Sequence, residues 1–480
     1  MKNAETGAVA RSGSATRLRR RLLASVAAVL GGLLAGAGSG SASAETLIEA
    51  WQLAYQTNPT IQAQRARLRA IDEGVPQALS GWRPTVSIGA GVGVLGSDNN
   101  QIGTAGSGSQ TRYPANYGLT VTQPLFRGGG TVARTSRAEQ DVQAERARLQ
   151  ALEQQVLVDV GAAYMDVLRD LAVVNLNENN VRVIQRQLEA TQDRFTVGEV
   201  TRTDVSQAEA RLATSRANLV RAQGDLEVSR AIYERLVGQM PGDLEQPSEI
   251  PNVPPTREEA IEGAVRFNPE VMVARFNERS AEDNIRVVQS ELYPRVDLTG
   301  EVQQAWDRNV RDGRDESYSV TANLTVPLYQ AGAVTSRVRE AKQVASQRRI
   351  EVEEATRQAT NLAANSWENL VAARAQIESL RASITAFEIA LEGVQQEALV
   401  GTRTVLDVLD AEQELLEARV GLVRSQRDVA VAAFNLAASV GGLTAEGIQL
   451  PVDYYDPNQH YENVRNRWID FDQYVPVGRD

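Results

Sequence analysis

Residues 400–415 read VGTRTVLDVLDAEQEL, and residues 197–212 read VGEVTRTDVSQAEARL. Setting Gly401 on Gly198 gives an offset of 203 and places Asp407 on Asp204, each followed by Val, with Leu closing both stretches. The copies differ in one telling place: Asp410 stands where the first copy has Gln207. A turn written twice raises the question of whether the whole chain is written twice.

It is. Asn58-Pro59 recurs as Asn268-Pro269 and Pro84 as Pro294, both at an offset of 210. QPLFRGGG at 123–130 recurs as VPLYQAGA at 326–333, and Gly238 as Gly441, at the offset of 203. The chain is a tandem duplication whose one length change lies between Pro84 and Pro124. Residues 96–114, GSDNNQIGTAGSGSQTRYP, fall there and read as a flexible loop.

Proline is absent from 125–240 and from 328–450. Since proline breaks helix interiors, long helices are expected in both gaps. Apolar residues recur every seven positions: Val160, Val167, Val174, Val181, Leu188 and Phe195, and in the second copy Ala363, Leu370, Ile377, Ile384, Leu391 and Ala398. The return segments repeat the pattern at Val205, Leu212, Leu219, Leu226 and Tyr233, and at Val408, Leu415, Leu422, Val429 and Leu436. A strict period of seven implies left-handed coiled-coil packing. The spacing predicts a helix over 130–196, ~100 Å long, a return helix over 202–237, ~54 Å, and a third over 256–290, ~52 Å. The chain then descends in one helix and returns in two, with the proline-rich GQMPGDLEQPSEIPNVPP as the break at mid-height.

The remaining segments alternate. Tyr318, Val320, Ala322, Leu324 and Val326 lie on one face of 317–326, opposite Ser, Thr and Asn. Residues 85–94, 117–122 and 295–302 alternate in the same way. Short strands, apolar on one side and polar on the other, carry the signature of an outer-membrane barrel. The alternative is a soluble sheet with its apolar side on a core. Four strands cannot close a barrel, and an open edge in lipid leaves N–H and C=O groups without partners. A membrane-spanning arrangement therefore needs several chains in one barrel.

Arg17, Arg19, Arg20 and Arg21 precede the apolar run LLASVAAVLGGLLAG, which ends in ASA before Glu45. That order reads as a secretory signal peptide over 1–44. The alternative is a membrane anchor, for which the run is short of the ~20 residues required. Without residues 1–44 the chain has 44 basic and 60 acidic residues, net −16, which argues against nucleic acid as a partner. There is no cysteine, so the exported chain rests on packing alone and carries no lipid on a cysteine.

The duplicated order of strands and helices, the PLFRGG and PLYQAG approaches to the long helices and VGTRTVLDVLDA together resemble the TolC-like outer-membrane channel-tunnel family, type I secretion branch. The resemblance covers about 45–450. It implies an α+β fold in which each chain gives four strands to a trimeric 12-strand β-barrel, joined to a long α-helical coiled-coil barrel in the periplasm. It divides the chain into a first repeat over 45–254, a second over 255–450 and a tail over 451–480 on an equatorial belt. It implies a homotrimer in outer-membrane lipid, a periplasmic adaptor protein and an inner-membrane ABC transporter or proton-driven pump.

The resemblance also assigns roles. The turns at Gly198 and Gly401 become hairpin tips, and Val197, Val400 and Thr402 join them as the adaptor-docking surface. Asp407 and Asp410 become a ring of carboxylates at a periplasmic gate, Arg403 a tie between neighbouring helices, and Asp204 a first-repeat partner. In the family a tyrosine often stands three residues before the tip glycine; here it is Ala398, which leaves Asp204 without that contact and Arg202 as a substitute. Read without the family, Arg403 and Asp407 form an exposed i,i+4 ion pair worth about 0.3–0.5 kcal/mol.

His460 is the only histidine, and no cluster has metal-ligand spacing. GAGVG at 89–93 is strand glycine with no helix after it, so it does not read as a nucleotide loop. No nucleophile–base set is visible, so no enzyme and no cofactor are expected. Tyr454, Tyr455, Tyr461, Trp468, Phe471 and Tyr474 read as packing the tail on the belt, or as a partly disordered tail. The reading is a passive exit duct for type I protein secretion, drug efflux or both. Its rival is a periplasmic coiled-coil scaffold without a pore.

Overall fold

Two helices of 67 residues each set the dimensions of the molecule, ~100 Å apiece. The structure is a computed structural model that describes residues 45–99, 108–247, 253–308 and 312–469. The expected signal peptide over 1–44 and the tail aromatics Phe471 and Tyr474 lie outside the described residues.

The first half runs α1 (Leu47–Thr57), α2 (Pro59–Asp72), α3 (Gly74–Leu79), β1 (Thr85–Val92), β2 (Leu95–Asn99), β3 (Gly108–Arg112), β4 (Ala115–Arg127), α4 (Gly130–Thr196) and α5 (Arg202–Val237). The second runs α6 (Arg257–Phe267), α7 (Pro269–Gln289), β5 (Arg295–Trp306), β6 (Arg314–Thr325), α8 (Ala333–Leu399) and α9 (Val405–Ser439), with α10 (Gln459–Arg465) in the tail. α4 packs on α5, and α8 on α9; α7 lies between α4 and α8. The seven-residue stripe is the buried seam: Val160, Leu226, Leu370 and Leu436 are all inside, and of the stripe residues Phe195, at the tip, is exposed. No described helix is long and apolar enough to cross a membrane.

The single helix expected over 256–290 does not form. It breaks at Asn268, which leaves the helical region at φ −62° and ψ 125°. The cause is Pro269, whose ring disfavours helical geometry in the residue before it. The Asn268 side chain serves both sides of the break. Its oxygen accepts from the Glu270 N–H at 2.9 Å, and its Nδ2 donates to the Ser439 carbonyl at 3.0 Å. Asn58 repeats this in the first half, accepting from Thr60 N–H at 2.9 Å and donating to the Leu236 carbonyl at 2.9 Å. In both copies a buried asparagine pins the outer helix break to the last turn of the return helix.

Around these joints lies the main core. Trp51, Tyr55, Tyr164, Tyr233 and Phe434 meet there with Leu443 and Leu450. Trp51 and Phe434 stack edge to face at 5.5 Å. Gly161 admits the Phe434 ring, because a Cβ at that position would lie 2.8 Å from it. The Tyr164 hydroxyl donates to the Glu45 and Glu245 carbonyls at 2.7 and 2.5 Å, which holds the proline-rich break against the start of the described chain.

The sheet has the order β1-β4-β5-β6, antiparallel throughout, so β1 and β6 are its two edges. The registers align the apolar residues of all four strands on one face: Ile88 faces Leu119, Leu119 faces Val302, and Val302 faces Tyr318. Among the described residues nothing packs on that face; Ile88, Val320 and Tyr318 are 80%, 78% and 88% exposed. β1 stops at Val92, short of the expected 94, and β4 runs beyond the expected 117–122 in both directions. The expected loop over 96–114 is also corrected. Leu95–Asn99 pairs with Gly108–Arg112 as a second hairpin, although their composition gives no apolar alternation. Residues 100–107 lie outside the described residues.

Candidate functional site

Both long helices end in the same turn. The Glu199 N–H donates to the Arg194 carbonyl at 2.9 Å, and the Thr402 N–H to the Glu397 carbonyl at 3.0 Å. Such i→i−5 closures need a left-handed residue, and Gly198 and Gly401 supply it with φ of 82° and 78°. Nothing lies within 4 Å of a Cβ built on either glycine. Val197 and Val400 are 71% and 76% exposed at these tips.

Asp204 and Asp407 then do one job twice. The Thr404 N–H and hydroxyl donate to the Asp407 carboxylate at 2.9 and 2.8 Å, while the Asp407 N–H donates back to Thr404 Oγ1 at 3.2 Å. Thr201 and Asp204 make the same set at 2.8, 2.7 and 3.3 Å. These are capping boxes that satisfy the free N–H groups of a first helical turn. The donors of Thr404 hold the Asp407 carboxyl below the usual carboxylate range. The signal was in the sequence as Thr201-x-x-Asp204 and Thr404-x-x-Asp407.

Arg403 is not paired with Asp407 as its spacing suggested. Its Nε meets Glu397 Oε2 at 2.9 Å across the same turn. Thr402 Oγ1 donates to the Glu397 carbonyl at 2.9 Å, so Glu397 gathers the tip of the second repeat. Arg202 forms no ion pair with Asp204 among the described residues, because the Asp204 carboxylate is already turned to Thr201.

The second acid, Asp410, has a partner the sequence reading missed: Arg211 of α5, in an ion pair that joins the first repeat to the second. The clue is a charge reversal between the copies, Arg211 against Glu414 at the offset of 203. Beneath this pair Val405 and Leu409 of α9 pack on Ile184, Leu188, Ala208 and Leu212 of the first hairpin. Ala398, where the family often has a tyrosine, is buried. Burial pushes the Glu412 carboxyl up against the opposing pull of Arg419 and a 3.2 Å hydrogen bond from Gln395. Nearer mid-height Arg427 of α9 meets Asp166 of α4 at 2.8 Å, a second tie between the repeats.

Among the described residues no group of three or more His, Asp or Glu could hold a metal ion. The tips are exposed turns held by capping boxes and by ion pairs within and between the two hairpins.

Comparison with known proteins agrees with this geometry. The sequence profile described as "Outer membrane efflux protein" matches residues 50–239 and 260–442. The chain is 33% identical to the outer membrane efflux protein BepC of Brucella suis over 96% of this chain and 98% of that one. It is 24% identical to the outer membrane protein TolC of Escherichia coli over 88% of this chain and 87% of that one. The solved outer membrane channel CmeC of Campylobacter jejuni shares the fold, with a TM-score of 0.75 over 88% of this chain and 89% of that one, at 14% identity. Two matched segments, one for each repeat, and coverage of nearly the whole chain place this protein in the outer membrane efflux protein family.

Proposed function

We propose that this protein is the passive exit duct of a tripartite export system, assembled as a homotrimer and gated at its periplasmic hairpin tips. As an outer-membrane channel-tunnel it serves secretion or efflux; the cysteine-free chain and the VGTRT turn favour the type I secretion branch. The observation that carries the reading is the four-stranded sheet with two free edges and an unpacked apolar face, attached to helices ~100 Å long. In lipid such edges must be paired by other chains. Three chains give twelve strands and six helical hairpins. A 12-residue strand such as β5 is ~40 Å long at ~3.3 Å per residue, enough to cross a ~30 Å hydrocarbon layer at a barrel's tilt. Trp82, Tyr293 and Tyr329 below the strands and Tyr117 and Trp306 near their far end would serve as interfacial aromatics.

In this assembly Asp407 and Asp410 of three chains ring the entrance, and Arg403 and Asp204 stiffen the turns that carry them. Val197, Gly198, Val400, Gly401 and Thr402 form the surface for a periplasmic adaptor, which couples the duct to an inner-membrane ABC transporter or proton-driven pump. The mass of the detergent-purified particle tests the assembly. Three chains per particle are expected; a stable single chain with full strand content would overturn it.

A further inference from the structure

Beyond α9 the chain climbs the first repeat as a strap. At its lower end the Tyr455 N–H donates to Tyr55 Oη at 3.0 Å, and the Arg65 guanidinium lies 4.5 and 5.0 Å from the ring centres of Tyr55 and Tyr455. α10 then lies on α2 and α3, with Val464 buried and Arg465 meeting Glu139 of α4 at 3.0 Å. At its upper end the Arg83 guanidinium donates to the Arg467 carbonyl at 2.7 Å and covers the Trp468 ring at 5.1 Å. Tyr55 belongs to the mid-height core and Arg83 stands just before β1, so the strap links the belt to the foot of the sheet.

Beneath this strap sits Asp72, the last residue of α2. It is fully buried, and among the described residues neither carboxylate oxygen has a hydrogen-bond partner. Buried carboxylates are ordinarily satisfied, and one left ionised without donors is costly. The charged groups facing it come from three elements. α4 offers Arg146, whose Nε and Nη2 are also buried without a partner and whose guanidinium lies 5.3 Å from the Tyr461 ring centre. α10 offers His460, α2 itself Arg69, and the residue that follows α2 is Glu73. α3 carries no titratable side chain. The nearby acids of α4 are engaged elsewhere, Glu139 by Arg465 and Glu145 by Arg67 and Arg148. The one histidine of the chain, His460, holds its Nε2 3.5 Å from Glu73 Oε1.

We propose that Asp72 is a proton-dependent latch that fastens the C-terminal strap to the first repeat, closing more tightly as the pH falls. At neutral pH the docked strap seals an ionised carboxylate away from water, and lifting the strap relieves that cost. Protonation of Asp72 removes the buried charge. That proton favours the docked strap.

Burial pushes the Asp72 carboxyl up to about 6, against the opposing fields of His460 and Arg146. The docked state thus binds the proton more tightly than a solvated carboxylate with its ordinary value of 3.8. Docking strengthens as pH falls through about 6 towards that lower value, and weakens as pH rises through about 6. Between pH 7 and pH 5 the docked-to-lifted ratio should rise about tenfold. The latch does not depend on the duct reading.

Hydrogen exchange on the full-length, detergent-purified protein tests it. After correction for intrinsic rates, amides of 459–465 should exchange about tenfold more slowly at pH 5.0 than at pH 7.0. In Asp72→Asn the same amides should be slow at both pH values. In His460→Gln, which removes one of the fields opposing the Asp72 shift, the response should persist. Equal corrected rates in the unaltered protein at the two pH values would overturn the latch, as would a full pH response in Asp72→Asn. A response lost in His460→Gln would overturn the assignment to Asp72.

Discussion

Arg211 and Asp410, one from each repeat, form an ion pair across the seam between α5 and α9. It lies just above the tips, on the apolar cluster that includes Leu409 and Leu212. The pair therefore resists separation of the two hairpins at the end where an entrance would open. Partly exposed ion pairs are worth about 0.2–1 kcal/mol each, so in the proposed trimer three copies acting together would shift a closed–open balance appreciably. Arg211→Gln should raise open-channel time in bilayer recordings, and more so than Arg403→Ser, whose partner Glu397 is on its own hairpin. A larger effect from Arg403→Ser would move the tie to that arginine.

Asp407 combines a capping role with its place in the proposed ring. Thr404→Ala removes the hydroxyl of the capping box and should destabilise the first turn of α9 by about 0.5–2 kcal/mol, seen as faster amide exchange over 405–409. Because Thr404 holds the Asp407 carboxyl below its usual range, the cap is present above the ordinary carboxylate value and lost only as pH falls below it. Exchange over 405–409 should thus be insensitive to pH between 7 and 5, unlike exchange in α10.

The tip glycines need positive φ but have open space around them. A side chain at Gly198 or Gly401 costs roughly 1–2 kcal/mol of local strain and meets no atom that must move. The double variant Gly198→Trp, Gly401→Trp should keep its trimeric mass and lose export, since only the outer surface changes. Export at the unaltered rate would remove the tips from the docking surface.

Asn268 is buried and bridges α7 to α9. Asn268→Ala leaves the Ser439 carbonyl without this donor inside the protein, at a cost of about 1–3 kcal/mol. Asn58→Ala should cost about the same through Leu236. Thermal unfolding measures both, and a loss confined to one repeat would contradict their equivalence.

The helices and strands were legible because their signals are periodic: sevens along 160–195 became a buried seam, and alternation along 317–326 became one face of β6. The break at Asn268 was legible as a dipeptide repeat but was overrun by the surrounding helical spacing, although Pro269 disfavours a helical residue before it. The hairpin β2–β3 carries no alternation, since Gly, Ser and Asn dominate it, so backbone pairing alone decides it. At the tips the turns were readable from Gly198 and Gly401, whereas the partners were not. Arg403 chose Glu397 over Asp407 because Thr404 already faces the Asp407 carboxylate. Arg211 reaches Asp410 across a seam about 200 positions long in sequence, which local spacing cannot show.

The most direct test of the duct is single-channel recording of the purified protein in a planar bilayer, alongside its Asp407→Asn, Asp410→Asn variant. The expected result is a cation-selective conductance blocked by multivalent cations from the periplasmic side, with selectivity and block both weakened in the variant. No conductance from a correctly assembled trimer would contradict the duct, and conductance with unchanged selectivity and block in the variant would take these acids out of the pore.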